Sequence, residues 1–133
     1  MKRYFKILKV QLKSIMKDAT LAAKRQGKEI CGLLIDNGLF LECVQVTNKT
    51  RRGGAFSFYY GEIRAIQKAS KILNREIVGT FHSHPVGLAK PGIGDIANAV
   101  NDSLMLIVDV MDQKAKLWHI KNRKTKEMKL VLI

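Results

Sequence analysis

Residues 77–110 read IVGTFHSHPVGLAKPGIGDIANAVNDSLMLIVDV. Ile77 to His84 predicts a strand, because apolar and β-branched residues run up to a cluster of turn formers. The Pro- and Gly-rich stretch from Pro85 to Gly94 predicts a loop. Asp95 to about Asp102 predicts a short helix with Ile96 and Val100 facing inward. Leu104 to Val110 is strongly apolar, as a central strand buried on both faces should be.

Upstream, residues 4–10 predict an edge strand. From Gln11 to Gln26 the apolar positions Leu12, Ile15, Met16, Ala19, Ala22 and Ala23 recur at helical spacing, and Gly27 is a natural stop. Glu29 to Ile35 reads as a buried strand, Asn37-Gly38 as a turn, and Leu39 to Val46 as a second strand. Residues 48–56, with Arg51-Arg52-Gly53-Gly54, predict an exposed and mobile loop. A second helix is expected over 60–74, burying Ile63, Ile66, Ala69 and Leu73. Downstream, 115–121 and 126–132 complete a meander. This order predicts an α/β sandwich with a mixed β-sheet flanked by helices, and residues 1–133 suit a single domain.

Apolar residues make up 47% and charged residues 26%, which excludes wholesale disorder. Tyr4 to Val10 carries Lys6 and Lys9, so it is neither a signal-peptide core nor a membrane span. The expectation is a cytoplasmic protein with no membrane partner. The net charge of +13 is concentrated at the two ends of the chain. Residues 2–28 hold nine Lys/Arg against one acid, and residues 114–129 hold seven against one. Such a surface attracts acidic proteins or nucleic acid; the plainer reading is a solvated, Lys-rich face. An aromatic-basic RNA signature and a recognition-helix pattern are both lacking.

Cys31 and Cys43 are too few for a disulfide framework or a Cys-based zinc site, and read as small buried residues. A three-residue hairpin loop at Asp36-Asn37-Gly38 would set them opposite each other, within reach of a disulfide that a reducing cytosol disfavours. Asp109 reads as a strand-end polar residue, Asp112 as a turn residue, and Trp118 and His119 as packing residues.

The chemistry lies in residues 82–95. On an extended strand His82 and His84 are two apart and project from one face, where both rings can bind one metal ion. Asp95 follows a loop that can curl back over the strand, and so supplies a third ligand. Two histidines and one carboxylate leave a fourth position open, the pattern of a catalytic zinc site. Bound zinc would lower the pKa of water and polarise a carbonyl.

This spacing closely resembles the JAMM metalloprotease signature, also called MPN-plus or the JAB domain. That pattern is an upstream Glu, then His-Ser/Thr-His, seven residues, Ser, two residues, Asp. Here His82-Ser83-His84 and Asp95 fit, and Glu29-Ile30-Cys31-Gly32-Leu33-Leu34 resembles the Glu-bearing strand. The order of elements is similar to an MPN-like (cytidine-deaminase-like) fold over nearly the whole chain, as in small prokaryotic members. One departure stands out: the serine of the signature is Gly92.

The resemblance implies one zinc ion per chain on His82, His84 and Asp95, with Glu29 as the catalytic proton carrier. It implies hydrolysis of amide or isopeptide bonds at the C-terminus of ubiquitin-like modifiers or sulfur-carrier proteins, substrates expected to be acidic. Arg51 and Arg52 are candidates for gripping such a substrate. In the signature the serine hydroxyl serves the developing oxyanion, and losing one such donor costs on the order of 10²–10³ in rate. Ser83 and Ser103 lie near enough in sequence to be considered as substitutes. The alternative is an MPN-type zinc-binding interaction module with weak or no catalysis.

Overall fold

The computed structural model describes residues 2–50 and 56–133. Its elements run β1 (Tyr4–Ile7), α1 (Lys9–Gln26), β2 (Cys31–Asp36), β3 (Leu41–Val46), α2 (Tyr60–Ile72), β4 (Glu76–His84), α3 (Ile93–Asn98), β5 (Ser103–Asp109), β6 (Lys114–Lys121) and β7 (Lys124–Leu132). The strand order is β1-β3-β2-β4-β5-β6-β7, and parallel pairing of β1 with β7 curls the mixed sheet into a closed barrel. The expected edge strand over 4–10 is therefore only four residues long, and it closes the sheet. Its contact with β3 is one pair, Ile7 with Leu41. Gln11 serves the next part of β3, donating from Nε2 to the Leu41 carbonyl at 3.0 Å and accepting the Cys43 N–H at 2.9 Å.

Strand alternation divides the core into two layers. On one face Phe5, Leu34, Phe81, Leu106, Val108, Leu117 and Met128 pack with Ile15 and Ala19 of α1. On the other, Met105, Ile107 and Ile120 pack with Ala89 of the loop after β4. Helix α1 ends where expected: Gly27 adopts φ 60 and its N–H returns to the last turn.

The central pair β4–β5 is parallel and in register from Gly79–Leu104 to His84–Asp109. Close approach there demands glycine, because a Cβ on Gly79 would run into the Leu104 carbonyl. Gly79→Ala is expected to lower stability by about 1–3 kcal/mol, the usual penalty for overpacking. Urea unfolding checks this; a loss under about 0.5 kcal/mol would mean that the strands are not so tightly apposed.

Several expectations need correction. The β2–β3 loop spans four residues, with Asp36 opposite Leu41, so the register slips and Cys31 faces Val46 while Cys43 faces Leu34. Both cysteines are free, and burial pushes each thiol up to about 12. Within α2 the buried residue is Ser70; Ala69 and Leu73 are exposed, and Ile63 and Ile66 half-buried. Helix α3 begins earlier and is shorter than expected, leaving Val100 exposed. Arg51 and Arg52 lie outside the described residues, as does most of their loop.

Candidate metal centre

β4 carries His82 and His84 to its C-terminal end, on the face away from α1. Phe81, between Thr80 and His82, points into the α1-side core, so the alternating histidines point the other way. Their Nε2 atoms approach to 3.0 Å. Asp95, in the first turn of α3, brings Oδ2 to 3.3 Å from His82 Nε2 and 3.4 Å from His84 Nε2. Three ligand atoms from three residues thus converge in a group that could hold a metal ion.

The donor set and its spacing fit zinc. Tetrahedral bonds of about 2.0–2.1 Å separate neighbouring ligand atoms by about 3.3 Å. The neutral His84 ring is fixed in the correct sense for a metal: Nδ1 lies 2.7 Å from the Leu88 carbonyl, which can only accept, so Nε2 of the neutral ring is left with its lone pair. The Gly92 N–H donates to Asp95 Oδ2 at 2.8 Å and orients the carboxylate. His82 is fully buried, and Phe56 stacks on its ring at 4.6 Å. Among the described residues His82 Nδ1 has no hydrogen-bond partner.

Charge follows this geometry. Burial resists ionisation of Asp95, but hydrogen bonds from His82, His84 and Gly92 outweigh it and hold the carboxyl well below the ordinary range. Burial lowers the pKa of His82, whereas hydrogen bonding to Asp95 raises that of His84. One ring is thus kept neutral and the other is drawn to its carboxylate partner.

Glu29 lies just before β2, beyond the last ladder pair of Cys31 with His82. Side chains extend that ladder. Ser83 Oγ accepts the Ile30 N–H at 2.9 Å, while the Ser83 N–H donates to the Ile30 carbonyl at 3.0 Å. Asn48 Nδ2 donates to the Glu29 carbonyl at 2.9 Å, and Asn48 Oδ1 accepts the N–H groups of Thr50 and Ser57. Asn48 therefore ties the backbone of Glu29 to Thr50 and to Ser57, the neighbour of Phe56. The Glu29 side chain is 5% exposed, and its Oε1 has no hydrogen-bond partner among the described residues. Burial first, and then the Asp95 charge, push its carboxyl up to about 7 against an opposing pull from His84.

Neither candidate serine can stand in for a hydroxyl at Gly92. Ser83 is fully buried on the face opposite the histidines, and Ser103 Oγ donates to the Val100 carbonyl at 2.6 Å. Trp118 does more than pack, since its Nε1 donates to the Ala89 carbonyl at 2.8 Å and holds the loop between the ligands. His119 is paired with Asp102 at 2.7 Å. Asp109 Oδ1 accepts the Asp112 N–H at the β5–β6 turn. Sequence reading missed Phe56, Asn48 and the Leu88 carbonyl. For Asn48 a local signal existed, because its bond to Thr50 N–H is an Asx turn.

The model of a family described as prokaryotic homologs of the JAB domain matches residues 12–121. None of the curated proteins compared matches the chain significantly. Among solved structures, a Desulfitobacterium hafniense protein determined in solution is 24% identical with a TM-score of 0.81, over 96% of this chain and 92% of that one. A structure described as a metalloprotease-like zinc site, JAMM, in the proteasome and signalosome is 18% identical with a TM-score of 0.60, over 98% of each chain. A JAB1/MPN domain protein from Archaeoglobus fulgidus is 19% identical with a TM-score of 0.60, over 92% of this chain and 94% of that one. At such identities these likenesses establish the shared fold.

Proposed function

The chain belongs to the prokaryotic JAB-domain family, and on that footing we propose that it is a zinc-dependent hydrolase of amide or isopeptide bonds. Its substrate is the C-terminal tail of a ubiquitin-like modifier or sulfur-carrier protein. The observation that carries this reading is Glu29, a buried carboxyl without a hydrogen-bond partner for Oε1 among the described residues and raised to about 7, beside the His82-His84-Asp95 group. A structural zinc site has no use for such a neighbour, whereas proton transfer near neutral pH requires one.

Zinc held by His82, His84 and Asp95 would supply Lewis acidity, lowering the pKa of water and polarising a carbonyl. Glu29 takes a proton from the attacking water and delivers it to the leaving amine. Asn48 and Ser83 hold the backbone on either side of the Glu29–Ile30 peptide while the proton moves. A groove of about 1120 Å³ reaches the centre, lined by Phe56, Ile63, Gln67, Thr80, Asp95 and Asn98 among others. Its size suits an extended peptide tail. No helix among the described residues is long and apolar enough to cross a membrane.

Purified protein should take up one zinc ion and release a C-terminal extension from a sulfur-carrier or ubiquitin-like fusion, and a chelator should stop the release. Metal-loaded protein that cleaves neither fusion would sink the proposal. Gly92 favours a second reading, a zinc-binding interaction module, because that position offers no hydroxyl.

A further inference from the structure

The N-terminal half of helix α1 breaks the electrostatic rules of a helix built only for stability, whereas its last turn, with Lys24 and Arg25, obeys them. Its first turn has no acid, its N-cap has no side-chain hydrogen bond, and Lys9 stands at its start, where the helix dipole disfavours a cation. Lys9, Lys13 and Lys17 then follow at intervals of four, each repelling the next. With Lys24 they form a stripe within an arc of about 80°, about 22 Å long. All four are exposed, since the opposite side of the helix buries Ile15 and Ala19.

The fold seats two further segments against this helix. Ile133 exchanges backbone hydrogen bonds with Ile7 and Lys9, which sets the residue after β7 beside the start of α1. Gln113 Nε2 meets Thr20 Oγ1 at 3.2 Å and holds the β5–β6 turn against the helix. The two chain-end segments together hold sixteen Lys/Arg. Among the described residues only Lys2 and Lys116 of these lie within ion-pair distance of a carboxylate. Thirteen of the sixteen are lysines, a residue depleted in protein–protein interfaces but suited to phosphate as a point charge.

We propose that the exposed α1 face binds the phosphate backbone of nucleic acid through Lys9, Lys13, Lys17 and Lys24. The contact is independent of base sequence, because a stripe on a helix seated against the core offers charge without groove-reading side chains. It lies across the sheet from His82 and His84, so the two surfaces can be occupied together.

Fluorescence anisotropy with a labelled DNA duplex of about 20 base pairs, from about 50 to about 200 mM salt, tests this. Four phosphate contacts make the salt slope of the native protein steeper by about 3.6 than that of K9Q/K13Q/K17Q/K24Q. The fourfold rise in salt then weakens the native protein about 150-fold more than the variant. K13Q/K17Q should lose about half of that difference in slope. Zinc uptake should be unchanged in both variants, and Tm equal or higher, because repulsion has been removed. Absence of binding at about 50 mM salt, or slopes within about one of each other, overturns the proposal. So does tighter binding of polyglutamate than of DNA, which would assign the face to an acidic protein, or a marked fall in Tm, which would assign the lysines to the fold.

Discussion

Glu29→Gln is expected to lower the hydrolysis rate by about 10²–10⁴, the usual contribution of a positioned acid–base group, while zinc uptake stays at one ion per chain. The same substitution should stabilise the metal-free protein, and the sign of that effect follows from burial. An ordinary Glu carboxyl titrates at 4.5, and in the fold that of Glu29 is pushed up to about 7. Between those values the folded state holds a proton that the unfolded chain has lost, so stability falls as pH rises. Above pH 7 the whole penalty of about 3 kcal/mol is present; at pH 5 less than about 1 kcal/mol of it is. Glutamine carries no charge at either pH and leaves no bond broken at Oε1, which has no partner among the described residues. Urea unfolding of both proteins at pH 5 and pH 8 should show a gain that grows by about 2.5 kcal/mol between them. An equal gain at both values would mean that Glu29 is not the buried proton carrier described here. Loss of zinc together with loss of activity would instead make it a ligand.

How much of this was legible depends on the range of the forces involved. The histidine pair is a local fact, because alternation along β4 forces residues 82 and 84 onto one face whatever the rest of the chain does. Asp95 was legible through spacing, and Gly27 through the backbone freedom that ended α1. The place of β1 was not, because its partner β7 lies at the other end of the sequence and only packing of Phe5 and Ile7 into the core selects it. The cysteine pairing failed because the loop starts one residue later and is one residue longer than Asp36-Asn37-Gly38, which moves the partner of Cys31 three residues along β3, from Cys43 to Val46. The faces of α2 were misjudged because helical periodicity predicts which residues share a side but not how closely another element approaches it. Phe56 and Asn48 act across loops, where no periodicity exists to mark them.

Gly92→Ser tests whether the departure from the JAMM signature limits the chemistry. The position is built to accept a side chain. Its φ of −82 and ψ of 173 are ordinary extended backbone, and a Cβ there would meet only Asp95 Oδ2, at a comfortable 3.5 Å. Nothing in the backbone therefore requires glycine, and substitution should leave the fold and the three metal ligands in place. As the N-cap of α3, a serine would also add a few tenths of a kcal/mol by capping the helix. Its hydroxyl would stand beside the carboxylate that closes the metal group, at the position where the JAMM signature carries the serine that serves the developing oxyanion. A donor aimed at such an oxygen contributes about 10²–10³ in rate, so kcat should rise by up to that factor with KM little changed. Steady-state cleavage of a C-terminal fusion by the native and substituted proteins decides the matter. A large gain confined to kcat would identify Gly92 as the missing donor position in an otherwise complete hydrolase. Unchanged, measurable turnover would mean that the chain supplies its oxyanion donor elsewhere, and the Gly92 N–H is already committed to Asp95. Zinc uptake with no turnover in either protein would leave the interaction module as the reading that fits.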